Sequence, residues 1–315
     1  MGVVIEPASS SSSVVDVPTE EEGSGGEKLS GQVGTLGKNI YAVGLSTLER
    51  IGRTTANVVL TTKDRLAPML DQQHLARDTE ATLDRSELKK SLMELFDEFS
   101  GNLVLEKLHL SSTEASIALK SRLKALNPSQ LKITQASLKG VGSQIEGAGG
   151  TTTEVVVGTL DSCQDCFRED ERALVQSLMT GIGNCLTTLA RAPEEIQELR
   201  SKVNSPLPPD NASLVAYMSR LNMAKILSAS LYLILLFDYD EGSEEQLWEL
   251  IVLTETHLVA ALIPDACEAL LDAKRREALS TLVRADLENA KSILRDASLA
   301  IIPRLKLSRY LHSCQ

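Results

Sequence analysis

The sequence predicts an all-α protein, an irregular helical bundle with a disordered N-terminal tail and an amphipathic helix ahead of the bundle. Two observations predict this class. Apolar residues recur at intervals of three and four over most of the 315 residues, which is the spacing of one helical face. No alternating pattern of useful length for a β-strand occurs, apart from the ambiguous run at 155–157. At 43% hydrophobic residues, the chain is long and apolar enough to bury a sizeable core.

The N-terminal residues have the composition of a tail. Residues 1–30 contain a serine run, then Glu20, Glu21 and Glu22, then a glycine-rich stretch. Such a segment buries too little apolar surface to offset the entropy of ordering it. We therefore predict a disordered, low-complexity tail over residues 1–30.

Residues 31–66 form an amphipathic segment that is rich in glycine and threonine. Each glycine costs a helix about 1 kcal/mol relative to alanine, so a membrane surface or the rest of the fold has to induce the helix. The sequence leaves both possibilities open. If the segment binds a membrane, its apolar face supplies the contacts, and that face consists of Leu36, Ile40, Tyr41, Leu48, Ile51, Val58 and Val59.

Residues 67–139 are predicted to be an N-terminal helical region. The spacing indicates one amphipathic helix over 87–99, ended by Gly101 as its C-cap. A second helix is predicted to begin at the run 111–114, which reads SSTE, and to continue to about Leu126. Asn127 and Pro128 then end that helix, and Ser129 is expected to cap a short third one.

The glycine-rich residues 140–154 are predicted to be a loop or linker, and residues 155–310 a C-terminal helical bundle. The most apolar run, 226–237, is shorter than the ~20 apolar residues that cross a bilayer, so we expect a buried core helix there. Prolines mark the expected joints between helices. The expected helices are 155–191, 193–204, 211–238, 243–263, 265–283 and 284–303.

The sequence motifs that are typical of catalytic and cofactor-binding sites do not predict an enzyme here. Residues 31–39, GQVGTLGKN, resemble a phosphate-binding loop, but the glycine required six places before Lys38 is Gln32. Cys163 and Cys166 form a lone CxxC motif at the expected start of a helix, without the further ligands that zinc needs. We expect free thiols in a reducing cytosol, with redox sensitivity as the alternative. No catalytic residue, metal or cofactor is predicted.

Charge and composition disfavour nucleic acid as a partner. The net charge is −11 and the pI is near 5.0, so a phosphate backbone would be repelled. Only 3% of the residues are aromatic, which leaves little material for stacking on bases. We find no local basic patch along the sequence, and we predict no nucleic-acid binding.

Two blocks resemble a known family. Residues 44–58 read GLSTLERIGRTTANV, and residues 95–101 read LFDEFSG, followed by Leu105, Glu106 and Leu108. In this order and at about this distance, the blocks resemble the nervous system overexpressed protein family, also described as the family with sequence similarity one hundred fourteen. The resemblance covers about residues 36–126.

The resemblance implies a cytoplasmic protein that is peripheral on membranes of the Golgi and early secretory pathway. It implies an effector that binds an active Rab-type small GTPase, and it implies no catalytic residues. We expect the partner to contact the helices around the second block. The candidate partner-binding residues are Leu95, Phe96, Phe99, Leu105 and Leu108.

Two functions from different classes are therefore predicted. The first is a non-enzymatic adaptor in vesicle traffic, bound to a Rab-type GTPase and to a membrane surface. The alternative is a lipid-binding or lipid-transfer bundle with an internal apolar cavity. Such a cavity would be lined by residues such as Leu231, Ile234, Leu235, Leu250 and Leu253.

Overall fold

The computed structural model describes residues 84–147, 166–204, 209–239, 243–262, 267 and 270–314. Every regular element among these residues is helical, which confirms the predicted all-α class. All of them belong to one compact unit, Leu60–Gln315. The predicted tail, 1–30, and the amphipathic segment, 31–66, lie outside the described residues.

Nine α-helices are described, and two short 3-10 turns, Glu87–Lys89 and Glu169–Glu171, precede α1 and α5. In chain order the helices are α1 Leu92–Glu98, α2 Gly101–Lys124, α3 Pro128–Leu138, α4 Ser143–Gly147, α5 Arg172–Ala190, α6 Ala192–Lys202, α7 Asn211–Leu236, α8 Ser243–Ala260 and α9 Ala273–Ser313.

Helix α7 is the centre of the bundle. Helices α1, α2, α5, α6, α8 and α9 all pack against it. Leu214, Met223 and Leu231 lie on different sides of α7 and are all fully buried, as expected for a helix that is apolar on every side. The prediction of a buried core helix over 226–237 is therefore confirmed. Among the described helices, α7 is the one long and apolar enough to cross a membrane, but 78% of that apolar window is buried inside the bundle.

A sharp corner separates α1 from α2. Ser91 and Glu94 form a capping box that starts α1, with the Ser91 backbone N–H donating to Glu94 Oε2 at 2.7 Å. Ser100 follows α1 with a left-handed backbone (φ 58°), and Gly101 begins α2. The prediction of one helix over 87–99 with Gly101 as its C-cap was therefore wrong, because Ser91 interrupts the helix and the turn lies at Ser100.

Helix α2 runs without interruption through the predicted helix start at 111–114. The Thr113 hydroxyl donates to the backbone carbonyl of His109 at 2.9 Å, so it is satisfied within the helix rather than capping a new one. Asn127, not Ser129, caps α3, because Asn127 Oδ1 accepts from the Gln130 backbone N–H at 2.8 Å. Pro128 occupies the first turn of α3, where its missing N–H costs nothing.

Helix α9 replaces the two helices predicted over 265–283 and 284–303. It begins after the cap residue Asp272, whose side chain accepts from the Arg275 backbone N–H at 2.9 Å, and it contains Pro303 in its interior. An interior proline disfavours a helix by about 3 kcal/mol. Packing against α2, α7 and α8 along its length is what keeps α9 continuous.

The helices on both sides of the predicted linker 140–154 pack together, since α9 contacts α2, α3 and α4. The first residues of that linker are themselves packed: Val141 and Ile145 are buried. Gly142 has a φ of +84°, and a Cβ there would lie 3.0 Å from Ile302 in α9. Residues 140–147 are therefore part of the bundle rather than a free loop, and residues 148–154 lie outside the described part of the chain.

One mostly buried ion pair ties three parts of the bundle together. Arg220 on α7 donates from Nε to Asp286 Oδ2 on α9 at 2.8 Å. The same guanidinium donates from one terminal nitrogen to the backbone carbonyl of Lys90, just before α1, at 3.2 Å. The two charged side chains are only 11% and 14% exposed, so each needs the other as a partner.

Candidate functional site

The predicted partner-binding residues lie mainly in the core. Leu95, Phe96 and Leu108 are at most 1% exposed, so a partner cannot reach them in this fold. Phe99 and Leu105 are half-buried, and the ammonium of Lys225 lies 5.6 Å from the centre of the Phe99 ring. The second sequence block therefore encodes the α1–α2 corner: the Phe96 ring packs beside Gly101, and the Asn102 amide donates to Asp97 Oδ1 at 3.0 Å.

The outward face of α2 carries an apolar stripe, which we call the outer stripe: Leu103, Leu110 and Ile117. These residues are spaced by seven, or about two helical turns, so they lie on one face. Leu110 and Ile117 are each 63% exposed, and Leu103 is half-buried. The sequence contains this spacing of seven, but it did not predict the stripe, because Leu103 and Leu110 lie between the two predicted helices 87–99 and 111–126.

Acidic side chains border the outer stripe. Glu106 is exposed on the same outward side of α2. Burial raises the pKa of Glu114, while the nearby positive charge of Arg304 on α9 opposes that rise. Arg304 itself stacks over the Tyr239 ring, 4.0 Å from its centre, and donates to the carbonyl of Leu235. The outer stripe is thus an apolar surface with a polar border, backed by a helix that α7 and α9 hold in place.

A second surface lies where three helices end together. Leu119 of α2, Leu138 of α3 and Tyr310 of α9 form one buried cluster, which Leu123, Leu126, Leu307 and Leu311 surround. Because this cluster joins them, the C-terminal halves of α2 and α9 and the whole of α3 lie at one end of the bundle.

That end is basic, and we call it the basic end. Residues 115–145 contain five basic and no acidic residues, and residues 297–314 contain three basic and no acidic residues. Six of these side chains are exposed, and none forms an ion pair within the described part of the chain. Five of the six lie in the single segment 115–145, so the expectation of no local basic patch overlooked a concentration of charge that the sequence already contains. The exposed basic residues of the basic end are Lys120, Arg122, Lys124, Lys132, Lys139 and Arg309.

The cysteines do not form a metal site among the described residues, where no group of three or more potential ligands occurs. Cys166 is half-buried and lies before the turn Glu169–Glu171, so it does not open a helix as predicted; Cys163 lies outside the described residues. Cys185 and Cys267 are buried, and Cys314 is exposed. Burial raises the pKa of both buried thiols, that of Cys267 to about 11.

We expect alkylation to separate these thiols. In the folded protein at neutral pH, iodoacetamide should modify Cys314 on the order of 100-fold faster than Cys267, since burial lowers both the thiolate fraction and the access of the reagent. Peptide mass spectrometry over time measures the rates, and the same reaction in guanidinium is the control, where the rates should converge. Equal rates in the folded protein would contradict the buried placement of Cys267.

The residues proposed to line a lipid cavity lie on α7 and α8. Leu231, Ile234 and Leu250 are fully enclosed by the protein, and Leu235 and Leu253 are half-buried. A surface cavity of about 270 Å³ is lined by Arg172, Ala173, Val175 and Gln176 at the start of α5, and none of the five residues belongs to it. The lipid-transfer alternative stays a prediction, to be checked by mass spectrometry of lipids extracted from the purified protein.

Comparison of the chain with protein-family models, with curated proteins and with solved structures finds no match. The resemblance to the nervous system overexpressed protein family thus rests on the two sequence blocks alone, of which the structure describes the second.

Proposed function

We propose that this chain is a non-enzymatic adaptor, peripheral on Golgi and early secretory membranes, that binds an active Rab-type small GTPase. The observation that carries the proposal is the outer stripe on α2. Two large aliphatic side chains, Leu110 and Ile117, are each 63% exposed on one face of one helix. The resemblance of the sequence blocks supplies the class of partner.

The outer stripe has the properties of a helical recognition face. Partner proteins bind helices through apolar anchors spaced at one face, and a few such anchors dominate the binding energy. The stripe is presented on a 24-residue helix whose opposite face packs on α7 and α9. Binding therefore requires little ordering of the adaptor, which favours affinity. A GTPase in its GTP form offers ordered switch segments that its GDP form lacks, so nucleotide dependence follows.

Substitutions in the outer stripe test the proposal. Leu110→Asp combined with Ile117→Asp should weaken capture of a GTPase loaded with a non-hydrolysable GTP analogue by at least about tenfold. The matched control is Leu282→Asp combined with Leu299→Asp, which places two aspartates at exposed leucines of α9. Binding is measured by interferometry against a panel of Rab-type GTPases in both nucleotide states, and circular dichroism checks the fold of each variant.

Two outcomes would overturn the proposal. One is that no member of the panel binds the GTP-loaded state more tightly than the GDP-loaded state. The other is that the stripe variant and the α9 variant bind the GTPase alike, since this would place the contact elsewhere. The membrane-binding candidates of residues 31–66 stay a prediction, which Ile40→Asp with Ile51→Asp tests in vesicle flotation.

A further inference from the structure

We propose that the basic end docks on an anionic membrane surface, with Ile133 entering the boundary between headgroups and acyl chains. None of its six exposed basic residues belongs to the amphipathic segment 31–66 or to the outer stripe. Its function as a membrane contact goes beyond GTPase binding, and it rests on the proposed function only in assigning the chain to membranes.

Charge distinguishes the basic end from the rest of the chain. The chain as a whole has a net charge of −11, yet the basic end presents six exposed cations and no acidic residue from 115–145 and 297–314. Along the sequence, Glu114, Glu146 and Asp296 border these two segments, and Glu244 accepts from the Gly142 backbone N–H at 2.7 Å. A protein with this segregation of charge is oriented by an anionic plane, because the plane attracts one end and repels the rest.

Ile133 is an exposed apolar side chain at the basic end. It is 72% exposed, the most exposed of the large apolar side chains in the described residues, and it lies on α3 next to Lys132. An exposed isoleucine among cations suits a lipid interface, where the apolar group enters the membrane while the amines meet anionic headgroups. A nucleic acid would make no use of it. The tyrosine at this end, Tyr310, is buried and offers no platform for stacking bases.

The helices beneath the basic end are packed together. The leucine cluster around Leu119, Leu138 and Tyr310 joins the three helices beneath the basic side chains. A capping box between Asn127 and Gln130 holds the start of α3. The side chains of the basic end thus project from a fixed backbone, so the entropy lost on docking is that of side chains rather than of backbone.

The position of the basic end also fits the outer stripe. Leu110 and Lys124 are fourteen residues apart on the same helix, which corresponds to about 21 Å along its axis. With Lys124 at the membrane and α2 upright on it, Ile117 would lie about 10 Å and Leu110 about 20 Å above Lys124. A lipid-anchored GTPase on that same membrane could reach the stripe.

Vesicle binding of the full chain tests the proposal. We expect flotation with vesicles of phosphatidylcholine plus phosphatidylserine, and little with phosphatidylcholine alone. Lys132→Glu combined with Arg309→Glu should weaken binding at least about tenfold, and so should Ile133→Asp. The control is Lys274→Glu with Arg284→Glu, which makes the same change in charge toward the far end of α9, about 40–50 Å from Arg309.

Salt provides a second readout. Raising the salt concentration from about 0.1 M to 1 M shortens the screening length from about 10 Å to about 3 Å and should release the wild type. The proposal is overturned if the wild type does not bind anionic vesicles or binds neutral vesicles equally well. It is also overturned if the charge reversal at the basic end and the control charge reversal on α9 bind vesicles alike. Loss of binding in Ile40→Asp with Ile51→Asp, but not in Lys132→Glu with Arg309→Glu, would assign the contact to 31–66. Binding of the GTPase is measured on the same variants, so failure here leaves that proposal standing.

Discussion

Replacing Gly101 by alanine is expected to lower the free energy of unfolding by about 2–3 kcal/mol. A Cβ at this position would lie 2.1 Å from Phe96 Cε2, 2.3 Å from Cδ2 and 2.4 Å from Cζ. The Phe96 ring is fully buried, so it cannot rotate away without displacing its neighbours. Alanine favours a helix more than glycine does, but this gain in free energy is smaller than the loss caused by the clash. Chemical denaturation of the full chain measures the net loss.

The chain offers a matched control and a rescue for this substitution. Gly183 lies inside α5 with nothing within 4 Å of a built Cβ, so Gly183→Ala should stabilise by up to about 1 kcal/mol. Phe96→Leu should lower the stability by itself. The double variant Phe96→Leu with Gly101→Ala should lose less stability than the sum of the losses in the two single variants. A Gly101→Ala variant as stable as the wild type would contradict the close contact between the Phe96 ring and the start of α2.

Replacing Arg220 by methionine is expected to lower the free energy of unfolding by about 2–3 kcal/mol. The substitution leaves Asp286, which is 14% exposed, without its cationic partner. It also removes the hydrogen bond to the carbonyl of Lys90. An ion pair at the surface would contribute less than about 1 kcal/mol, so the size of the effect separates a buried pair from an exposed one.

A double-mutant cycle isolates the ion pair. Arg220→Met together with Asp286→Leu leaves neither charge unpaired, and we expect it to recover most of the stability lost in the single variant. The control is Lys274→Met with Asp296→Leu, which changes two exposed positions of α9. It should change stability by less than about 0.5 kcal/mol. Additive effects of the Arg220 and Asp286 substitutions would argue against a direct contact.

These two contacts bear on the proposed function because they involve α2 and α9, the helices that carry the proposed surfaces. The Phe96–Gly101 contact lies at the corner between α1 and α2, and the Arg220–Asp286 pair joins α9 to α7. The outer stripe is a face of α2, and the basic end is assembled from α2, α3 and α9. We therefore expect the proposed surfaces to depend on the corner and on the ion pair, although neither contact touches a partner.

The sequence predicted the helical class and the central helix, and missed several boundaries. Periodicity reports that a segment is helical, but it does not weigh a local stop signal against tertiary packing. Pro303 is a helix breaker by local rules, yet it lies inside α9 because the helix is held by its neighbours on either side. Ser111 to Glu114 look like a cap, yet they lie within α2 because the helix had already begun at Gly101.

For the candidate sites, too, the sequence identified some features and missed others. The block around Leu95 and Phe96 was recognised, but its residues are in the core, and the exposed residues Leu110 and Ile117 were overlooked. The basic end was overlooked although five of its six exposed basic residues lie within 115–145, and only Arg309 joins them through folding, beside Tyr310 in the buried cluster.

By itself, the sequence determined that the described part of this protein is helical, that 226–237 is buried, and where most helices lie, because these properties depend on the local spacing of apolar residues. Only the tertiary structure decided which face of each helix is covered and which charges gather. A helix has the same periodicity whichever neighbour covers it, and the separation of two residues in space is determined by packing between distant segments rather than by their distance along the chain.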